Sequence, residues 1–206
     1  MAKAVLISIR PVWVEKIAEG QKTVEVRRTR PKLEPPFKCY IYCTNTRPFL
    51  VWGDVFRGDW MTEFTRLSGY SRAEADRIWD VFNGNVAGEF VCDRIDTIIP
   101  APEPYGLYDV DDDFVAQTCL VNGALWDYGK GATLYGWHTS ELKIYDIPKQ
   151  LGEFWFPDDL YCKKDLCGGC PWDQSPDVNG EYEFDCEWRR PLRRPPQSWC
   201  YVEELK

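Results

Sequence analysis

The sequence lacks several things that whole classes of function require. It has a single histidine in 206 residues, His138, which excludes a site built on several imidazoles. It has no apolar run approaching the roughly 18–20 residues a membrane helix needs, so no helical membrane span is expected. The first residues lack the basic, apolar, small-residue order of a signal peptide, and the expected compartment is the cytoplasm. Basic residues are outnumbered, with 25 Lys+Arg against 33 Asp+Glu and a net charge of −8. A chain so acidic is, taken whole, a poor general binder of nucleic acid. Internal repeats and low-complexity segments are also missing.

What is present is an ordinary folded composition. Hydrophobic residues make up 44% and charged residues 28%, which argues against wholesale disorder. The length suits one domain, or a domain with an appendage. The charge is unevenly spread. Residues 1–38 hold nine basic and four acidic side chains, residues 39–186 eleven and twenty-six, and residues 187–206 five and three. An anion site is therefore expected from the two chain ends, the alternative being that both are simply solvated basic faces.

The order of elements follows from periodicity. Val5–Ile9 is a short apolar strand, and Pro11 opens a helix with Trp13, Val14, Ile17 and Ala18 on one face, closed by Gly20. Lys22–Arg28 alternates as a strand, with Val24 and Val26 on one side and Thr23, Glu25 and Arg27 on the other. Tyr40–Thr44 is a further strand. Residues 45–70, broken by Pro48, Gly53, Gly58 and Gly69, read as a loop or insertion, and Ser71 to Glu74 is a capping box opening a helix that Asn83-Gly84 closes. Val86–Ile99 is a long β-rich run with a bend at Gly88. Asp111–Asp113 begin another helix, carrying Phe114, Val115, Cys119 and Leu120. Leu134–His138 and Leu142–Tyr145 read as two strands around a polar turn. Strands neither regularly βαβ-spaced nor purely hairpinned predict an α+β domain on a small, strongly bent sheet or barrel.

Four groups of residues could carry chemistry. Gly20-x-Lys22-x-x-Glu25-x-Arg27 sets a lysine, a carboxylate and an arginine around one strand face. Such a set can hold a phosphate or a nucleobase and can move a proton. The plainer alternative is a surface strand whose charges pair with one another for little gain. His138 is a candidate general base or, more commonly, a histidine hydrogen-bonded at a strand end. Cys162-x4-Cys167-x2-Cys170-x15-Cys186 has the thiolate count and the close pair that structural zinc prefers, and Gly168-Gly169 lets both sulfurs of that pair face one ion. Free or redox-linked thiols are the alternative, with Cys200 a substitute fourth ligand unless it packs in the core. Cys39, Cys43, Cys92 and Cys119 lie in apolar segments and read as small buried hydrophobes. Lastly, Arg189, Arg190, Arg193 and Arg194 with Pro195 and Pro196 form a stiff cationic arm suited to phosphate, or else a solvated linker.

The segment GQKTVEVRR, preceded by VLISIRPVWVEKIAE and followed by a YIYCT strand, resembles the ASCH domain of the PUA-like superfamily. Its hallmark G-x-K-x-x-E-x-R is matched at Gly20, Lys22, Glu25 and Arg27. The resemblance continues through 71–95 and through GWHTSELKIYDIPKQLGEF at 136–154. The RPPQSWCYVEE ending at 194–204 resembles bacterial and phage-borne members with a Cys-rich C-terminal region. Only 48–70 and 158–187 fall outside it.

The resemblance implies a PUA-like β-barrel whose cleft, lined by the motif, binds RNA or a nucleotide. On that basis Gly20, Lys22, Glu25 and Arg27, with Arg10, His138, Arg193 and Arg194, are the candidate ligand-binding residues. Some small ASCH-like enzymes deacetylate N4-acetylcytidine with a lysine matching Lys22, a threonine where Glu25 stands here, and a further glutamate. The threonine is absent, and Glu63, Glu74 and Glu89 are the options for the glutamate. An amidohydrolase or ribonuclease with Lys22 and Glu25 as its catalytic pair is thus an alternative expectation to plain RNA or nucleotide binding, and a zinc-stabilised interaction module is a third. The expected layout is a barrel domain over 1–157, a zinc appendage over 158–187, and a segment over 188–206 that returns to the barrel.

Overall fold

The computed structural model describes residues 2–45, 82–102, 106–157 and 191–205. The insertion and helix expected between 45 and 84 lie largely outside these residues, and the four cysteines expected to bind zinc lie wholly outside them.

Strand β1 (Lys3–Ile9) is buried along almost its whole length because it is covered on both faces. It pairs in parallel with β3 (Phe37–Cys43) and antiparallel with β6 (Trp199–Glu203). A parallel pair needs a crossover, and helix α1 (Pro11–Ala18) with β2 (Val24–Arg27) supplies it. Strands β4 (Val86–Ile98) and β5 (Leu134–Lys149) are the long members, and the sheet runs β2-β5-β4-β3-β1-β6. Between them the chain forms α2 (Asp112–Thr118), capped by Asp111 Oδ1 accepting from the Phe114 amide at 2.7 Å, and α3 (Asn122–Gly129).

Two features of the sheet differ from the sequence expectation. The two strands expected over 134–145 are one, running without a break through Glu141 at φ 48°. Three register shifts against β4 absorb the irregularity. One falls at Gly88, where the backbones approach so closely that a Cβ would stand 2.5 Å from the Lys143 carbonyl oxygen. Second, the sheet is mixed and not closed into a barrel: β2 and β6 are its two unpaired ends. Side chains bridge that seam where a barrel would carry a backbone ladder. Trp199 Nε1 donates to Thr29 Oγ1 at 3.0 Å, Tyr201 Oη accepts from the Lys32 amide at 2.7 Å, and Arg27 reaches β1.

The alternation of each strand divides the core. Val5, Ile7, Ile9, Cys39 and Ile41 pack with Val14 and Ile17 of α1 and with Trp137. On the opposite face Leu6, Tyr40, Tyr42, Tyr145 and Phe154 pack together. A third cluster joins Val24 and Val26 to Leu125 of α3 and the partly buried Phe114 of α2. No helix among the described residues is long and apolar enough to cross a membrane.

Candidate functional site

The local fold of 16–27 turns three charged side chains inward. After α1 the chain reverses at Gly20, whose φ of +71° is the left-handed conformation that glycine takes without strain. The amides of Gln21 and Lys22 both donate to the Lys16 carbonyl, which fixes where Lys22 leaves the helix. In β2 the valines point to the third cluster. Glu25 and Arg27, lying opposite Trp137 and Tyr135, therefore point toward the first.

Lys22, Glu25 and Arg27 are only 3%, 7% and 8% exposed. Arg27 Nη2 lies 2.9 Å from Glu25 Oε1, and Lys22 Nζ lies 3.3 Å from Glu25 Oε2, so one carboxylate holds two cations. Lys22 Nζ also donates to the carbonyls of Val24 and Thr118, each at 2.8 Å. An ammonium has three N–H groups, and these three acceptors account for them. Trp13 of α1 stands over the ammonium, 5.4 Å from ring centroid to Nζ, within cation–π range. Arg27 Nη2 donates to the Ser8 carbonyl at 2.6 Å, and Nη1 reaches Ser198 Oγ at 3.3 Å. Its Nε is buried with no acceptor among the described residues, as is Trp137 Nε1.

The other expected site residues are elsewhere. Gly20 adjoins the trio only through the turn. Arg10 is exposed at the start of α1, and Arg193 and Arg194 are exposed on the segment leading to β6. His138 sits on the other face of the β2–β5 ladder, opposite Val24. There it packs edge-on to Phe114, with Nε2 2.7 Å from Asp96 Oδ2 and 2.9 Å from Arg94 Nη2. Of the glutamates considered for a catalytic role, Glu89 is described. It pairs with Tyr40 across the ladder, accepts from Tyr145 Oη, and lies 3.7 Å from Lys38, all on the face away from the trio. Cys39, Cys43 and Cys92 are buried as expected, whereas Cys119, expected to be buried with them, is only half-buried at the end of α2. Burial pushes the thiols of Cys43, Cys92 and Cys200 up to about 12, so among the described cysteines these three make poor nucleophiles. Sequence alone did not point to Ser8, Thr118 or Ser198 as partners of the motif, since their contributions are backbone carbonyls and a hydroxyl from distant segments.

Fold and site together define an α+β domain on one open mixed sheet, with a buried Lys–Glu–Arg network at the sheet's seam. No protein-family model matches the sequence, and no curated protein does. Among solved structures, ASCH from Zymomonas mobilis is similar to it at 16% identity and a TM-score of 0.48, over 98% of this chain and 88% of that one. A single-substitution mutant of the same protein is similar at 16% identity and a TM-score of 0.46, over 98% and 92%. At such identities and scores, what those proteins do stays with them.

Proposed function

We propose that this is an ASCH-type, PUA-like domain that binds RNA or a modified nucleotide where Lys22, Glu25 and Arg27 meet. The observation that carries the proposal is the buried trio with an unpartnered Arg27 Nε. Taking charges out of water costs several kcal/mol per ion, and well-packed apolar residues of similar volume commonly serve stability as well or better. A seam needing only structural glue would not require this set, whereas a ligand that brings an acceptor to Arg27 would. Trp13 and Trp199, both partly buried beside the trio's core, add aromatic faces on which a base can stack. The acidic middle of the chain confines positive charge to this region, which favours a small or single-stranded ligand over duplex.

Lys22→Ala and Arg27→Ala are each expected to weaken binding of a short single-stranded RNA at moderate salt, with far-ultraviolet circular dichroism confirming that both variants fold. Tight, salt-sensitive binding that survives both changes would place the ligand elsewhere.

The Lys22–Glu25 contact favours one further reading, proton transfer to an amide or phosphodiester. Lys22 would then have to release one of its three acceptors to act as base. Incubation with acetylated cytidine and with RNA tests this, and no turnover of either removes it. On spacing alone we also propose that Cys162, Cys167, Cys170 and Cys186 bind a structural zinc. Metal analysis should give about one equivalent; less than about half, with every thiol titratable, refutes it.

A further inference from the structure

The trio is too deeply buried to meet a ligand as it stands, and one of the contacts on Arg27 comes from a short stretch just before β6. Immediately before β6, Pro195 and Gln197 are exposed and Pro196 and Ser198 half-buried. Among the described residues three hydrogen bonds hold this short stretch: Ser8 Oγ donates to the Pro196 carbonyl at 2.7 Å, the Ser8 amide to the Ser198 carbonyl at 2.8 Å, and Arg27 Nη1 to Ser198 Oγ at 3.3 Å. The last is long for a charged donor. From Trp199 onward the chain is tied down far more firmly, by the β1–β6 ladder and by the ring contact of Trp199 with Trp137. Beneath lies Arg27, more than nine-tenths buried, its Nε without an acceptor.

We propose that Pro195–Ser198 is a strap over Arg27 that opens by itself, pivoting at Trp199, and presents the Glu25–Arg27 pair to a ligand bearing a hydrogen-bond acceptor. Opening breaks the Ser8 and Ser198 contacts and leaves β6 paired. The strap's occupant rests on the function proposed above, but its opening can be measured with no ligand at all.

The test is modification of the full chain by phenylglyoxal, an arginine reagent, followed by mass spectrometry of each arginine, with iodoacetamide labelling of the wholly buried Cys39 in parallel. In the unaltered protein Arg27 should react well below the exposed Arg10 and Arg194. In the double variant Ser8→Ala, Ser198→Ala it should react roughly thirtyfold faster, the factor expected from losing two ordinary hydrogen bonds, with Cys39 labelling unchanged. Three results overturn the proposal: Arg27 as reactive as Arg10 in the unaltered protein, no change in the variant, or Arg27 and Cys39 rising together, which would mean general unfolding. Amide exchange in the unaltered protein serves should the variant fail to fold. The Ser8 amide should exchange ahead of those of Val5 and Ile7, and exchange of all three at one rate overturns the strap equally.

Discussion

At the scale of single residues, Glu25 is the side chain on which the network depends. It is the carboxylate shared by Lys22 and Arg27, and all three are cut off from water. Removing one partner of a buried ionic set leaves uncompensated charge, at about 3–5 kcal/mol. Glu25→Ala should therefore lose about that much stability in urea denaturation; a loss below about 1 kcal/mol would mean that water reaches the trio and screens it. The alternation of KTVEVRR told in advance that Glu25 and Arg27 share a face. It could not tell that the face points inward, because that depends on Trp137, paired across from Glu25 more than a hundred residues later. The same alternation explains why His138, although next to Trp137, lies apart from the trio: neighbours along a strand face opposite ways.

At the scale of elements, most strands and two of the helices were legible because their patterns are strong. Examples are the unbroken apolar run of β1, the proline-started α1 and the Asp111 cap of α2. Asp111→Ala should lower stability by about 1 kcal/mol, the usual value of such a cap, and an unchanged melting temperature would show that α2 is held by Phe114 packing alone. Helix α3 was not legible. It starts at Val121 with no side-chain cap and ends at Lys130 in the left-handed conformation where a glycine is usual. The polar Thr139–Glu141 stretch of β5 resembles a turn, and its continuation as a strand depends on the ladder with β4. There Gly88→Ala should cost about 1–3 kcal/mol, because its new methyl meets a neighbouring backbone carbonyl that cannot swing aside. Tolerance of alanine at 88 would mean the two long strands are less tightly apposed than they stand.

At the scale of the molecule, the open sheet was the feature least visible in the sequence. Whether six strands close depends on what the two end strands meet, and here the seam is bridged by Arg27, Thr29 and Lys32 on one side and Ser198, Trp199 and Tyr201 on the other, far apart in the chain. Burial of thiols across the sheet also sets how the whole fold responds to alkali. Cys43, Cys92 and Cys200 are raised from an ordinary 9.0 to about 12. Their neutral forms are thus favoured in the folded state, and that contribution is intact below about pH 9 and lost as pH climbs toward about 12. Denaturation midpoints should fall steadily between pH 9 and pH 11, and a flat profile there would mean that the thiols are open to solvent.

If the trio at this seam receives a ligand, Arg27 Nε is the atom that reports it. Side-chain nitrogen resonances of arginine-labelled protein, followed as a short single-stranded RNA is titrated in, show whether it does. The Arg27 Nε–H signal should shift and exchange more slowly with water as it gains an acceptor. RNA that binds to saturation, moving the signals of Arg10, Arg193 and Arg194 and leaving that of Arg27 unchanged, would contradict it.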